Sequence, residues 1–441
     1  MLLCYWTFKC EAKLSEIVIR GIALETSALV RAGLLPVGTR LPAIRDLAYE
    51  LGVSPATISE AWSELRQQKI VSGRGRNGTW VCAERFVAKP ERLASAGHYG
   101  ANVLDLSMAV PDRTLLPPLA KAMAHATFVS DLNSYERSRI VPELKDALAA
   151  TWPYAAEAFL AINGGYNGVY TTVRALVRPG SVVAVEHPTA MRLLDILEDL
   201  GVKIVPVLSD EQGPVPTSLK HAMTERPAAF LFQPRLHSVT GQTVTPERMQ
   251  ALADVLANSD TLIIEDDGIA DISAEKPVSL GSRLPDRTVR ILSFSKTLGP
   301  DLRLAVLSGS KAIVEQIQSY RAFSAGWTSR VLQAAVAWLI RDKETSEIVA
   351  NARGIYQERR DALSRELLER GVSTMPGSGL CLWVPVESES FAMVTLAARN
   401  IAVVPGNKFS ILPSAHIRVA TSNLASGHAQ VAESIALAHR R

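Results

Sequence analysis

The sequence predicts a chain of two folded parts, a small α+β domain at the N-terminus and a larger α/β domain after it. Apolar residues recur at helical spacing from residue 14 to about 68, and two short apolar strands follow them. From residue 104 onward, short apolar strands alternate with helix-sized segments, a pattern typical of a mostly parallel sheet. Between the two patterns, residues 83–103 have a proline, two glycines and no sustained periodicity, which predicts a linker.

The small domain carries the net positive charge of the chain. The whole sequence has 47 Lys and Arg against 44 Asp and Glu, a net charge of +3. Between Lys13 and Cys82 there are nine basic and six acidic residues, so the entire excess lies there. A basic segment on an otherwise neutral chain predicts a polyanionic partner for this domain.

Cysteine usage and hydropathy predict a reduced, cytoplasmic protein. The cysteines Cys4, Cys10, Cys82 and Cys381 have no zinc-binding spacing, and they are too few for a disulfide framework in 441 residues. No apolar run approaches the roughly 20 residues that a membrane span needs. The apolar start of the chain has no basic region or cleavage site of a signal peptide. We therefore expect neither a metal site nor a membrane contact.

Three helices and a hairpin are predicted in the small domain. One helix covers 14–31, and a second covers 43–51 and ends at Gly52. Ser54 is placed to cap a third helix that runs to about residue 68, which completes a helix-turn-helix arrangement. Residues 70–82 form two short strands around a glycine-rich turn with two arginines, either a DNA-contacting wing or an ordinary hairpin.

The motifs of this domain resemble the winged-helix domain of the GntR transcriptional regulators. They are GTRLPAIRDLAYELGVS at 38–54, TISEAWSEL at 57–65 and GRNGTWV at 75–81. The resemblance implies that the second helix, the start of the third helix and the wing contact double-stranded DNA. The residues implied in DNA binding are Arg45, Ser54, Thr57, Ser59, Arg74, Arg76 and Gly78. The family usually has arginine or asparagine where this chain has Pro55, which predicts a different affinity or sequence preference.

In the larger domain, polar loops follow several predicted strands. The loops at 163–166, 233–241 and 265–267 follow the apolar runs FLAI, AAFLF and TLII, and a fourth loop carries Lys296. Ligands of parallel sheets bind at the carboxyl ends of the strands, so we expect these loops to lie close together.

The lysine loop, SFSKTLGPDLR at 293–303, lies between two predicted strands. Its lysine can form a Schiff base with an aldehyde, and its hydroxyls and arginine can hold a phosphate. Taken alone, the SxSK pattern also fits an ordinary solvated lysine. The glycine turn at 163–166 offers N–H groups to a phosphate, and an acid after Ile264 can keep a pyridine nitrogen protonated. Together these features predict a pyridoxal 5′-phosphate site.

These loops resemble those of a fold-type I aminotransferase domain. The chain from about 14 to 441 is similar to the MocR subfamily of GntR regulators, in which such a domain follows the winged helix. The expected boundaries are 14–82 for the winged helix, 83–103 for the linker and 104–441 for the aminotransferase-like domain. We expect the large part of that domain to cover about 104–330, and a long helix with a small α+β C-terminal part to cover about 331–441. The SKTLGPDLRLA motif is similar to the MocR branch linked to vitamin B6 metabolism.

The resemblance implies roles for individual residues. Lys296 would be the Schiff-base lysine, Asp266 would face the pyridine nitrogen, and Arg418 would clamp a substrate or effector carboxylate. The other implied cofactor-binding residues are Gly164, Gly165, Tyr166, Ser238, Ser293 and Arg303. The family also implies a homodimer, with Tyr135 reaching the site of the partner subunit.

Three positions depart from the aminotransferase pattern. Ser238 stands where the family has an asparagine on the phenolic oxygen of the cofactor, Gly268 where it has a tyrosine, and Ala190 where an aromatic residue stacks on the ring. Each lost hydrogen bond costs about 1 kcal/mol, and the lost stack costs about 1 kcal/mol more. His237 either replaces the missing polar partner or, in the plainer interpretation, is a surface histidine. The pocket is therefore expected to bind the aldehyde but to be poorly tuned for transamination.

The sequence favours a transcriptional regulator whose larger domain binds pyridoxal 5′-phosphate or a related amine or amino acid, with no residue assigned to catalysis. Two alternatives stay open. One is a working aminotransferase with an accessory DNA-binding domain. The other is a regulator with a degenerate pocket that binds no pyridoxal 5′-phosphate.

Overall fold

The computed structural model describes residues 15–31, 34–73, 78–82, 90, 92, 99–100 and 102–439. These residues divide into two compact units. The first lies within Met1–Glu91 together with Ile196–Lys203, and the second lies within Arg92–Asp195 together with Ile204–Arg441.

In the first unit, the described residues between 15 and 82 form three helices and a two-stranded hairpin. Its elements are α1 (Ser15–Arg31), α2 (Ile44–Leu51), α3 (Pro55–Gln67), β1 (Val71–Ser72) and β2 (Trp80–Val81). One face of α3 buries Ile58, Ala61, Trp62 and Leu65, whose spacing repeats with the helical period. The strands pair antiparallel with Val71 opposite Val81. The predicted helix-turn-helix arrangement and hairpin are therefore confirmed, and Arg74 and Arg76 lie outside the described residues.

Local chemistry sets the turn between α2 and α3. Gly52 ends α2 with φ of 66°, a left-handed conformation that glycine adopts without strain. Ser54 then caps α3, because its Oγ accepts a hydrogen bond from the Thr57 N–H at 3.1 Å. Pro55 fits the first helical turn, where its missing N–H costs nothing.

A longer series of elements follows. The helices are α4 (Ala120–Ala126), α5 (Pro142–Ala149), α6 (Gly165–Leu176), α7 (Met191–Asp199), α8 (Pro216–Ala222), α9 (Pro246–Leu256), α10 (Lys311–Arg321), α11 (Arg330–Arg341), α12 (Lys343–Glu369), α13 (Glu389–Ala397) and α14 (His428–His439). The strands are β3 (Leu104–Asp105), β4 (Ala158–Ile162), β5 (Val182–His187), β6 (Lys203–Asp210), β7 (Gly213–Pro214), β8 (Ala229–Phe232), β9 (Leu262–Asp267), β10 (Thr288–Ser293), β11 (Ala305–Gly309), β12 (Cys381–Pro385), β13 (Ile401–Ala402), β14 (Val404–Pro405) and β15 (His416–Ala420).

An eight-stranded sheet forms the centre of the second unit, with the strand order β4-β11-β10-β9-β8-β5-β6-β7. Neighbours β5, β8, β9 and β10 are parallel, whereas β11 pairs antiparallel with both β10 and β4. Every residue of β4, β8, β10 and β11 is buried, and β4 and β8 are accordingly apolar throughout. The sheet is thus mixed, with the predicted parallel strands at its centre.

A smaller antiparallel sheet lies in the C-terminal part, with the order β12-β15-β14. The 27-residue helix α12 leads into it, and its core includes Leu382, Val384 and Val419. The early strand β3 pairs with β13, so residues near 104 join elements near 401. Within the described residues, no helix is long and apolar enough to cross a membrane.

Candidate functional site

A cavity of about 400 Å³ opens at the carboxyl ends of the parallel strands. The loops after β4, β8 and β10, the end of β9, and strand β15 all contribute side chains to it. All nine residues predicted to hold the cofactor or a carboxylate line this one cavity: Gly164, Gly165, Tyr166, Ser238, Asp266, Ser293, Lys296, Arg303 and Arg418. The fold therefore brings together side chains that are up to 254 positions apart in the sequence.

Lys296 presents its amine to the cavity from the loop after β10. Its Nζ donates a hydrogen bond to the carbonyl oxygen of Ala109 at 3.0 Å. Burial lowers the pKa of Lys296, and together with the positive charges of Arg418 and Arg192 it brings that pKa to about 8. An amine with this pKa has an uncharged, nucleophilic fraction near neutral pH.

Strand β9 ends in three acids that face different surroundings. Glu265 accepts hydrogen bonds from Ser279 Oγ and from the N–H of Leu280, and Asp267 pairs with the buried Arg290. Among these acids only Asp266 lines the cavity. Residues alternate between the two faces of a strand, which separates Asp266 from its neighbours.

Asp266 is buried beside Gln233, whose Nε2 donates a hydrogen bond to Asp266 Oδ2 at 2.9 Å. Burial, together with the nearby carboxylates of Asp267 and Glu186, raises the pKa of Asp266 to about 7. A carboxyl with this pKa can share a proton with a basic nitrogen placed against it.

A cradle lies at the N-terminus of α6, next to the lysine loop. Gly164 has φ of 95°, and a Cβ there would lie 3.3 Å from Arg303 Nη2. A Cβ added at Gly165 would lie 3.2 Å from the Cβ of Ser293. Ser293 Oγ in turn lies 3.1 Å from Ser295 Oγ. The helix N–H groups, a guanidinium and two hydroxyls thus surround a space that suits a phosphate.

Ser238 lines the cavity but directs its hydroxyl to a neighbour. Its N–H and Oγ donate hydrogen bonds to Gln233 Oε1 at 2.9 and 2.8 Å. This pairing orients the Gln233 amide toward Asp266. Gln233 was not among the predicted site residues, although its position directly after the buried strand β8 was the available signal.

His237 is buried, so its interpretation as a plain surface histidine was wrong. Its side chain is 7% exposed, and its Nε2 lies 3.4 Å from Glu186 Oε1. The Thr240 N–H donates to His237 Nδ1 at 3.1 Å. The ring is buried and does not line the cavity.

Arg418 reaches the cavity from β15. Its Nη2 donates to the carbonyl oxygen of Ser107, and its guanidinium carbon lies 4.5 Å from the centre of the Phe409 ring. Its buried Nε has no hydrogen-bond acceptor among the described residues. A buried guanidinium with donors to spare is suited to a carboxylate ligand.

The positions that depart from the aminotransferase pattern also line the cavity. Ala190 and Gly268 leave space where the family has larger side chains. Arg192, on the first turn of α7, places its guanidinium carbon 4.6 Å from the centre of the Tyr166 ring. Arg192 was not predicted as a site residue, because a single arginine on an amphipathic helix is typical of a solvated surface.

In the first unit, most of the predicted DNA-contacting side chains that are described lie at the surface. Arg45, Ser54 and Ser59 are exposed on α2 and at the start of α3, whereas Thr57 is half-buried. Ser54 Oγ lies 2.8 Å from Thr57 Oγ1, so both hydroxyls take part in the cap.

Arg40 is a further basic residue of this surface that sequence reasoning missed. It is exposed, and a Cβ added at Gly78 would lie 2.8 Å from Arg40 Nε. Arg40 also forms an isolated bridge with Trp80 of β2. The side chain therefore lies over the hairpin, where it adds positive charge near the predicted wing.

Comparison with known proteins defines the class of this protein. Residues 19–81 match the bacterial regulatory proteins of the gntR family, and residues 101–433 match aminotransferase class I and II. The chain belongs to the MocR type of GntR transcriptional regulators, in which an aminotransferase-like domain follows the helix-turn-helix domain. The family and fold class predicted from the sequence are confirmed.

Individual relatives sharpen this assignment. The vitamin B6 salvage pathway transcriptional repressor PtsJ of Salmonella typhimurium is 31% identical over 402 residues, which cover 89% of this chain and 91% of PtsJ. The HTH-type transcriptional regulator YdeF of Bacillus subtilis is 26% identical, with coverage of 69% and 67%. The solved kynurenine aminotransferase of Pyrococcus horikoshii has a TM-score of 0.70 at 17% identity, with coverage of 76% and 91%, which shows the shared fold.

Proposed function

We propose that this regulator binds operator DNA through α2, α3 and the hairpin, and that its aminotransferase-like domain binds pyridoxal 5′-phosphate as a controlling ligand. One observation carries the proposal. Lys296, the buried Asp266 and the cradle of Gly164 and Arg303 line the same cavity of about 400 Å³. An amine, an acid and an anion cradle in one enclosed space match the aldehyde, the ring nitrogen and the phosphate of this compound.

The residues of the cavity act on different parts of the ligand. Pyridoxal 5′-phosphate supplies an aldehyde that condenses with a primary amine and a ring that withdraws electrons. With a pKa of about 8, roughly a tenth of the Lys296 amine is uncharged at pH 7, and Ala109 holds it at the cavity wall. With its pKa raised to about 7, Asp266 can share a proton with a basic ring nitrogen at its Oδ atoms, and the N-terminus of α6 with Arg303 would bind and orient the phosphate.

Sensing is favoured over turnover by the three departures. Gly268 and Ala190 supply neither a hydroxyl nor an aromatic ring, and the Ser238 hydroxyl is committed to Gln233. The cavity thus keeps groups that hold the ligand and lacks groups that adjust its reactivity. The alternative of a working aminotransferase predicts turnover of amino donors with a keto acid at ordinary rates.

We further propose that the regulated genes belong to vitamin B6 metabolism and that the protein acts as a homodimer. The first point is supported by the likeness to PtsJ over most of both chains. The second is supported by exposed aromatic side chains in the second unit, since Phe128 and Tyr135 are 87% exposed and Phe323 is 91% exposed. Light scattering of the purified protein tests the dimer, and a monomer at micromolar concentration would contradict it.

Absorption spectroscopy tests the cofactor. The purified protein incubated with pyridoxal 5′-phosphate is expected to show a band at the visible edge that survives desalting. Lys296→Ala is expected to lose that band entirely, because no other amine lines the cavity within the described residues. Lys343→Ala, a change at an exposed lysine, serves as the control. A wild-type protein without the band would rule out this ligand and favour the degenerate pocket.

DNA binding is tested by titration with operator fragments at several salt concentrations. Arg45→Ala is expected to weaken binding several-fold and to reduce the salt slope by about one, because one phosphate contact is lost. Lys343→Ala is again the control, and unchanged binding by Arg45→Ala would remove this residue from the interface.

A further inference from the structure

A second cavity, of about 350 Å³, lies on the other face of the central sheet. Arg290 and Leu292 of β10 line it, whereas Ser293 of the same strand lines the cavity that holds Lys296. Residues of a strand point alternately to its two faces, so the sheet separates the two spaces. Among the described residues, none lines both cavities. A ligand of the second cavity therefore leaves the proposed cofactor-binding groups free.

Much of the wall of the second cavity is apolar. Several of its residues belong to one buried hydrophobic cluster, among them Leu148, Leu292, Phe294, Leu339 and Val349. Protein interiors are close-packed, so a space of this size beside a core cluster is unusual. Its volume is within the range of small-molecule sites, which begins at roughly 300 Å³. The wall gains free energy by covering the apolar surface of a ligand.

The charged part of the wall consists of three arginines and one aspartate, Arg235, Arg290, Arg353 and Asp271. Arg235 Nη2 donates a hydrogen bond to Asp271 Oδ1 at 2.8 Å, and Arg290 pairs with Asp267 behind the wall. Arg290 still has a spare donor, because its side chain is 1% exposed and its Nε has no acceptor among the described residues. A ligand oxygen can recover the free energy that such an unpaired buried donor costs.

Arg353 is the lining arginine that pairs with no carboxylate in the described part of the chain. Its Nε donates to the backbone carbonyl oxygen of Asp271 at 2.9 Å, and its Nη atoms make no hydrogen bond to a described residue. Helix α12 presents Thr345, Val349 and Arg353 to the cavity at a spacing of four positions. A half-buried guanidinium thus stands beside an apolar wall, where it can form a charge-assisted bond with a carboxylate.

We propose that the second cavity binds a small monocarboxylate with an aromatic or branched apolar body. Arg353 holds the carboxylate, and the body packs against the buried cluster. The inference goes beyond the proposed function, because it assigns a ligand to the opposite face of the sheet. A neutral amide of the same shape lacks the charge-assisted contact, and a short acid lacks the apolar surface.

Calorimetric titration of the full-length protein tests the inference with phenylacetate, phenylacetamide and acetate. The wild type is expected to bind phenylacetate at least about tenfold more tightly than either of the other two. Arg353→Gln is expected to bring the affinities for phenylacetate and phenylacetamide close to each other. Arg365→Gln, at an exposed arginine of α12 that does not line the cavity, is expected to keep the wild-type preference.

A second pair of variants tests the location without removing a charge. Ala350 is exposed and lines the cavity, so Ala350→Trp narrows the opening and is expected to weaken phenylacetate about tenfold or more. Asn351→Trp, at the exposed next position of α12, does not line the cavity and is expected to bind as the wild type does. Circular dichroism checks that each variant is folded, and Ala350→Trp decides the question if Arg353→Gln is not.

Three outcomes overturn the inference. They are a wild type that binds no phenylacetate, equal affinities for the acid and its amide, and full binding by both Arg353→Gln and Ala350→Trp. Loss of binding in Arg418→Gln with full binding in Arg353→Gln would place the acid in the other cavity and overturn it as well. The absorption band of pyridoxal 5′-phosphate tests the proposed function separately, since the described lining residues of the two cavities differ.

Discussion

The two sides of the cavity differ in what they keep of an aminotransferase site. On the holding side, Lys296, Asp266 and the glycine–arginine cradle all face one space. On the tuning side, Ser238 is turned to Gln233, and Gly268 and Ala190 offer only small side chains. Binding energy and chemical reactivity depend on different contacts, so a fold can lose one set and keep the other.

This difference explains how an aminotransferase fold can serve a regulator. Under the proposed function, contacts to the phosphate and the aldehyde of the ligand would make its presence detectable. The few contacts to its ring would leave it with little help for proton transfer. The following predictions test whether the two sides are as separate as the geometry suggests, beginning with the largest effect.

Asp266→Asn is expected to stabilise the ligand-free second unit above pH 7 by about 4 kcal/mol. Burial raises the pKa of Asp266 to about 7, so the folded state binds this proton more tightly than the unfolded state does. The free energy of unfolding of the wild-type protein therefore falls as the pH rises from about 4 to 7. The variant has no carboxyl at this position and lacks that decrease. Denaturant unfolding at several pH values measures it, with Asp301→Asn, at an exposed acid, as the control. Identical pH profiles of the variant and the wild type would show that the pKa of Asp266 is not raised in the folded state.

Gly164→Ala is expected to weaken binding of pyridoxal 5′-phosphate about 30-fold. The new methyl group would sit 3.3 Å from Arg303 Nη2, at a φ of 95° that alanine rarely adopts. Gly180→Ala has a similar φ of 81° but nothing within 4 Å of the new atom, so it reports the cost of strain alone. Equal affinities of the two variants would show that the cradle does not hold the phosphate. Fluorescence titration measures both.

Ser238→Asn is expected to strengthen binding of the cofactor by about fivefold, because it restores one hydrogen bond of about 1 kcal/mol on the tuning side. Ser238→Ala is the matched control, since it removes the hydroxyl that Gln233 accepts from and adds no new donor. If both variants bound the cofactor more tightly than the wild type, the Ser238 hydroxyl would be restraining Gln233, and the amide introduced at position 238 would contribute nothing. A spectral titration distinguishes these results.

Much of the site could be predicted because its residues have local sequence signals. Lys296 lies in an SxSK loop between apolar strands. Gly164 lies directly after an apolar strand and directly before a helix. Arg192 and Gln233 have no such signal, because their importance comes from which neighbours the fold gives them. For the same reason the burial of His237 could not be predicted, since its partner Glu186 is 51 positions away on another strand.

The sequence by itself determined the helix-turn-helix arrangement, the alternation of strands and helices, and the family. Periodicity, the Gly52 turn and the Ser54 cap act within a few residues, so they can be read locally. Tertiary structure alone decided the antiparallel β11, the pairing of β3 with β13, and which face of β9 meets the cavity. These features depend on contacts between distant segments, whose free energy appears only when the chain has folded.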